Sequence, residues 1–246
     1  MIYGLDVSEE QGSIDWLKVA QSGVSFVYAK CGNGNTEVDG LDADPMFTKN
    51  VAGARAQGLI IGCYHFCYPL PSGPGLPAGR APEEQAQLHF TASAGLGSNE
   101  GDLTTMIDAE WPDPSQWAMW KCSKAQIADW FSRYANKLES LSGRKVGLYS
   151  DQYFWSMIGG AGLMDFAARP FWPARPTGVR PLDGNKPALW DPFTSWQVWQ
   201  WSQASIISGI LTNVDLDVIP DDATMQELRG MDAVSPVAST DRPPST

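Results

Sequence analysis

Histidine is nearly absent from this chain: two residues in 246, His65 and His89. That scarcity excludes the HExxH zinc sites, and no CxxC pair exists to seed a zinc ribbon or a thioredoxin-like redox site. Basic residues are also few, with 17 Lys+Arg against 28 Asp+Glu and a formal net charge of −11. Such an acidic balance argues against a duplex nucleic-acid partner, which needs basic patches to neutralise phosphates. Long apolar runs are missing: no stretch approaches the roughly 18 consecutive apolar residues of a membrane span, so no membrane insertion is expected. The opening MIYGLDVSEEQG has no basic segment followed by an apolar one, and no signal peptide is visible. Cys31, Cys63, Cys67 and Cys122 follow no disulfide-framework spacing and are read as reduced thiols. What remains for acid–base work is carboxylate chemistry. Aromatic rings are plentiful, with 11 Trp, 7 Tyr and 9 Phe.

The organisation is an alternation of strand and helix. Residues 2–7 form a short apolar strand, and Ser13 is placed to cap a helix that Gly23 stops. Residues 24–29 (VSFVYA) and 59–66 (LIIGCYHF) read as buried strands. Between them Asp44 followed by Pro45 opens a helix to about Gln57. A Pro/Gly-rich loop over 69–79 precedes a helix near 82–94. Strands follow at 104–111 (TTMIDAEW) and 145–150 (KVGLYS), with the best amphipathic helix of the chain, 123–141, between them. Beyond this point helices weaken. Segments 169–174, 196–202 and 213–219 read as strands separated by proline-rich loops, and 221–230 as a last helix. Continuous apolar strands between helices indicate a parallel sheet covered on both faces. About eight strands in this length predict an irregular (β/α) TIM-like barrel whose helices are reduced around the last three strands. An open doubly wound sheet is the competing architecture, unsupported because no GxGxxG follows the first strand. Residues 1–230 are read as a single barrel domain and 231–246 as a disordered, Pro/Ser/Thr-rich tail.

In such a barrel chemistry sits at the C-terminal ends of the strands. Acids fall there at Asp6, at Asp108 with Glu110, and at Asp215 with Asp217. Asp108 and Glu110 are two apart in a strand, so both carboxylates share one face. Repulsion in an apolar run makes one of them hold its proton near neutral pH. A retained proton beside an ionised acid suits protonation of a leaving oxygen while positive charge is stabilised. The bland alternative is a surface acid pair, opposed by Met106 and Ile107 on one side and Trp111 on the other. A hard-cation site is a further reading, but it lacks a clustered DxDxDG loop, and no metal is expected.

The aromatic residues suit a sugar ligand, because flat rings present apolar faces with polar edges. Tyr64 and Phe66 share one face of their strand, and Trp199 and Trp201 share one face of WQVWQWS. Core packing is the competing reading for each ring. His65 points opposite Tyr64 and Phe66 and reads as a packed residue; His89 reads as structural or exposed.

GLDVSEEQGSIDW, VSFVYAK, GCYHF, MIDAEW, KVGLYS, RPFWPA, VWQWS and VDLDV occur in one order across nearly the whole chain. In these motifs the sequence resembles glycoside hydrolase family 25, the Chalaropsis-type lysozymes. The resemblance implies an irregular (β/α) barrel that hydrolyses the β-1,4 bond between N-acetylmuramic acid and N-acetylglucosamine in peptidoglycan. It makes Glu110 the general acid and gives Asp108 the substrate's 2-acetamido group, which can itself act as an internal nucleophile. Asp6 and Asp215 would tune the pair and hold the sugar. Tyr64, Tyr149, Trp172 and Gln200 would line the groove. No cofactor is implied, the partner is the peptidoglycan glycan strand, and a monomer is expected.

Departures from the family pattern lie at Glu10, where an aromatic is usual, at Cys31-Gly32-Asn33-Gly34 in place of ATEG, and at Asp217, where Asn is frequent. The missing export signal suggests synthesis in the bacterial cytoplasm and action on the wall after release, as for a phage endolysin, or by non-classical export. Two other function classes stand beside this one. A catalytically silent sugar-binding or virion protein on the same barrel would not need a protonatable Glu110. A chitinase-type barrel would need the DxxDxDxE spacing that this strand lacks.

Overall fold

The computed structural model describes residues 1–34, 43–69, 81–110, 123–158 and 163–231. The segment 70–80, which covers most of the predicted Pro/Gly-rich loop, lies outside them, as do Trp111, Cys122 and the tail from residue 232. Eight strands close into a barrel in sequence order: β1 (Ile2–Val7), β2 (Phe26–Asn33), β3 (Ile60–Phe66), β4 (Met106–Ala109), β5 (Gly147–Asp151), β6 (Phe171–Ala174), β7 (Trp199–Ser205) and β8 (Val214–Ile219). Outside it run α1 (Trp16–Gln21), α2 (Phe47–Ala56), α3 (Pro82–Ala92), α4 (Lys124–Ser142), α5 (Gln152–Met157) and α6 (Asp222–Leu228). Among the described residues no α-helix lies between β6 and β7 or between β7 and β8, the predicted thinning of the late units.

One expectation fails: the sheet is not wholly parallel. Strands β1 to β7 pair parallel, but β8 is antiparallel to both β7 and β1. The cause is connection length. Residues 206–213 are too few for a crossover, which takes a dozen residues or more, so β8 must return as a hairpin. Its first residues therefore lie at the end of the barrel where the other strands finish. Asp6 pairs with Asp215 across β1 and β8.

Local signals set the helices, with two shifts from the sequence reading. Asp15, not Ser13, caps α1, accepting from the Lys18 N–H at 3.3 Å. Asp44 instead accepts from the N–H groups of Met46 (2.8 Å) and Glu9 (2.7 Å), and α2 starts only at Phe47. Ser123 and Gln126 form a reciprocal capping box on α4, and Gly143 ends it in the left-handed region. The apolar stripe of α4 (Ile127, Phe131, Tyr134, Leu138) packs on Ile107, Val146 and Leu148 of the barrel wall.

Two packed regions result. Outward-facing strand residues meet the helices, while Phe26, Tyr28, Met106, Tyr149, Trp172 and Ile219 fill the barrel itself. Gly62 makes room for the Tyr28 ring: a Cβ there would stand 2.3 Å from it. The lower barrel is thus a solid aromatic plug, and only its upper rim is free to carry polar groups. Cys31, Cys63 and Cys67 are buried free thiols in the wall.

Candidate active site

Strand alternation turns Asp6, Asp108, Tyr149, Gln200, Asp215 and Asp217 into the barrel, above the aromatic plug. Asp6 is 8% exposed and Asp108 only 2%. Gln200, on β7, joins several of these groups. Its Nε2 donates to Asp6 Oδ2 at 3.1 Å and to Asp215 Oδ2 at 3.2 Å. Its Oε1 accepts from the Tyr149 hydroxyl at 3.0 Å. One buried amide therefore orients two carboxylates and a phenol from three strands.

Burial without enough cations dominates the electrostatics. Asp108 is held well above the usual carboxylate range by desolvation and then by the charge of Glu110, with Lys30 opposing. Glu110, just past β4, is raised to about 7, first by burial, then by Asp151 and Asp215; Lys30 and the Tyr149 hydroxyl act against the rise. Asp215 is raised to about 6 by burial. Asp6 is raised by burial and by the charge of Asp215. Asp108 Oδ1 is buried with no hydrogen-bond partner, which leaves acceptor capacity that the protein does not use.

Asp217 lies deeper, wholly buried, with Oδ1 accepting from Trp172 Nε1 at 2.8 Å. Its Oδ2 meets no donor. Burial raises this carboxyl strongly and the charge of Asp6 raises it further, while the Trp172 N–H acts against the rise. Asp217 therefore holds its proton more tightly than an exposed carboxyl does.

The structure thus brings together Glu110, Asp108, Asp6, Asp215, Tyr149 and Gln200, all singled out by sequence. Tyr64 joins them from β3, with its ring edge-on to Trp172 at 6.1 Å. Phe66 lies at the same end, under Lys30 Nζ at 5.6 Å and beside Tyr68. Trp172 is 1% exposed, tilted against Tyr28 and edge-on to Tyr149, and forms the floor below the acids rather than an open wall. Trp199 and Trp201 do not join the acids. They lie on the face of β7 opposite Gln200, packed with Tyr3 and Val218 outside the barrel.

Two functional groups were missed. Lys30 follows Tyr28 by one strand period, and ending the second strand at Ala29 concealed it. Asp151 ends β5 beside Glu110, since β4 and β5 pair Ala109 with Ser150. The strand-end rule that found Asp6 would have found it. Its Oδ1 caps α5, accepting from the Phe154 N–H at 2.9 Å.

Among the described residues one group has the spacing of a metal site: Cys31, Cys63 and His89, whose ligand atoms lie within 4.8 Å of one another. It is buried in the wall, away from the acids. Both His89 ring nitrogens are already engaged, with Tyr134 Oη at 2.9 Å and Thr105 Oγ1 at 2.7 Å. Burial and His65 hold His89 well below the usual histidine range, so it is neutral and structural.

A buried carboxyl raised towards neutrality beside other acids is suited to donate a proton during bond cleavage. The family model for glycosyl hydrolases family 25 matches residues 5–210, from within β1 through β7, and stops short of β8 and α6. The chain belongs to glycosyl hydrolases family 25. Its enzyme class is accordingly glycoside hydrolase. Lysozyme M1 of Streptomyces globisporus is 29% identical over 216 residues, 87% of this chain and 66% of that protein. The chain thus spans just under two thirds of that relative's length. The N,O-diacetylmuramidase of a Chalaropsis species is 28% identical over 200 residues, 80% of this chain and 87% of that one. The crystal structure of the bacterial lysozyme from Streptomyces coelicolor superposes with a TM-score of 0.76 at 27% identity, covering 94% of this chain and 96% of that one.

Proposed function

We propose that this family 25 hydrolase is a lysozyme that cleaves the β-1,4 bond between N-acetylmuramic acid and N-acetylglucosamine in peptidoglycan. The observation that carries the reading is Glu110, raised to about 7 at the open rim of the barrel next to Asp108. Glu110 gives its proton to the glycosidic oxygen as the C1–O bond breaks, and positive charge develops at C1 and the ring oxygen. The carbonyl oxygen of the substrate's own 2-acetamido group closes on C1, while the unused acceptor of Asp108 takes the acetamido N–H. Glu110, now a carboxylate, draws a proton from the water that reopens this ring. Asp6 and Asp215, fixed by Gln200, hold the sugar hydroxyls.

The test is mass spectrometry of fragments released from purified peptidoglycan. Muramic-acid reducing ends support the reading. Glucosamine reducing ends indicate another glycosidase, and no fragments indicate a sugar-binding protein. Glu110→Gln should lose on the order of 10²–10⁴-fold in turnover while its circular dichroism stays native. Full activity in that variant would overturn the assignment.

A further inference from the structure

A cavity of about 870 Å³ lies where β5 and β6 end and β7 begins, and it shares Asp151 with the surroundings of Glu110. Its lining includes Asp151, Tyr153, Arg175, Lys186 and Trp199. Its size is that of a small-molecule site, and it adjoins Glu110 through Asp151. Two features set it apart on this strongly acidic chain. Arg175 and Lys186 both face it, and neither enters an ion pair among the described residues. The Arg175 guanidinium is also held in place. Its Nε donates to the Ala188 carbonyl at 3.1 Å and its plane lies 5.4 Å from the Trp190 ring centroid. That leaves both terminal nitrogens free, the fork that grips a carboxylate with two parallel hydrogen bonds. Tyr153 is 56% exposed on the rim, a large ring left open to a ligand.

We propose that this cavity binds the carboxylate-bearing stem peptide attached to the muramic-acid lactyl group, with Arg175 as its anchor and Lys186 as a second cation. The proposal rests on the muramidase reading, which sets a muramic-acid sugar next to Glu110 and hence its substituent within reach of Asp151 and the cavity. A local cationic pocket also lets a chain of net charge −11 hold an anionic polymer that its overall field repels.

The probe is a synthetic lactyl-tetrapeptide with free carboxylates, titrated calorimetrically, against the same peptide with its carboxylates amidated. Binding of the free acid should exceed that of the amide. It should fall roughly 10-fold in Lys186→Ala and further in Arg175→Gln, and weaken with salt, given the strength of charge-assisted hydrogen bonds. Equal affinity for acid and amide, or full affinity in the Arg175→Gln/Lys186→Ala double variant, would overturn the proposal. In parallel, the double variant should lower the ratio of kcat/KM on stem-bearing glycan to that on amidase-stripped glycan, through KM rather than kcat. If wild-type protein binds the peptide but cleaves neither glycan, the muramidase reading fails and the pocket stands. If it cleaves both and the ratio does not move, the pocket fails alone.

Discussion

At Glu110 two neighbours of like sign, Asp151 and Asp215, reinforce the effect of burial, while Lys30 and the Tyr149 hydroxyl oppose it. Asp151 can be tested cleanly, because Asp151→Asn keeps an oxygen to cap α5 and removes only the charge. A negative neighbour favours the protonated acid, so its loss should move the alkaline limb of the kcat/KM–pH profile to lower pH, with the plateau rate little changed. A limb that stays in place would leave Asp151 a helix cap and nothing more. Asp217 offers a stability test instead. Its folded-state affinity for protons exceeds the unfolded value, so the native state binds more protons above about pH 4 and stability falls as pH rises. Asp217→Asn removes that dependence while retaining an oxygen to accept from Trp172 Nε1. It should raise Tm at pH 7 and lose its advantage as pH approaches 4, measured by thermal denaturation across the range. A lower Tm at both pH values would mean that the carboxyl itself, not its proton, is required.

At the scale of elements, legibility followed the periodicities. The strand period of two put Asp108 and Glu110 on one face, and a capped 3.6-residue stripe marked α4 within one or two residues. Period two says which residues share a face but not which face turns inward. In WQVWQWS both faces carry large or polar side chains, and Gln200, not the tryptophans, is the inward one. Chain direction was illegible for a related reason, since an apolar strand reads the same in either sense. Only the short span of residues 206–213 carried the signal that β8 reverses. Asp215 reaches the active rim from the start of its strand, so the rule that acids gather at strand ends selected it correctly for a geometric reason that does not hold here. Three-dimensional coupling was beyond any single-sequence pattern. Nothing local in the sequence says that one glutamine would bond Asp6, Asp215 and Tyr149 together.

For the whole molecule, the cluster of proton-retaining acids sets how stability responds to pH. Asp6, Asp108, Asp217, Glu110 and Asp215 all have folded-state proton affinities raised by burial, to about 7 for Glu110 and about 6 for Asp215. Each therefore withdraws stability as pH climbs from its unfolded value towards its folded one. Surface acids act oppositely: Asp15, Glu83 and Asp221 are lowered by their hydrogen-bond partners, and their contributions fade as pH falls below about 4. His89, kept neutral by burial, also penalises acid conditions below about 6.5, offsetting one of the five acids. The sum is a dome, with greatest stability on the acid side of neutrality. From about pH 5 to pH 8 the loss should be on the order of a few kcal/mol, or roughly 5–10 °C in Tm for a domain of this size. Glu110→Gln should flatten the decline between pH 6 and 8, because it removes the group that titrates there. Scanning calorimetry of both proteins over that range checks it. A Tm that rises steadily from pH 5 to 8 would mean that the barrel rim is far better solvated, or better supplied with cations, than the described residues make it.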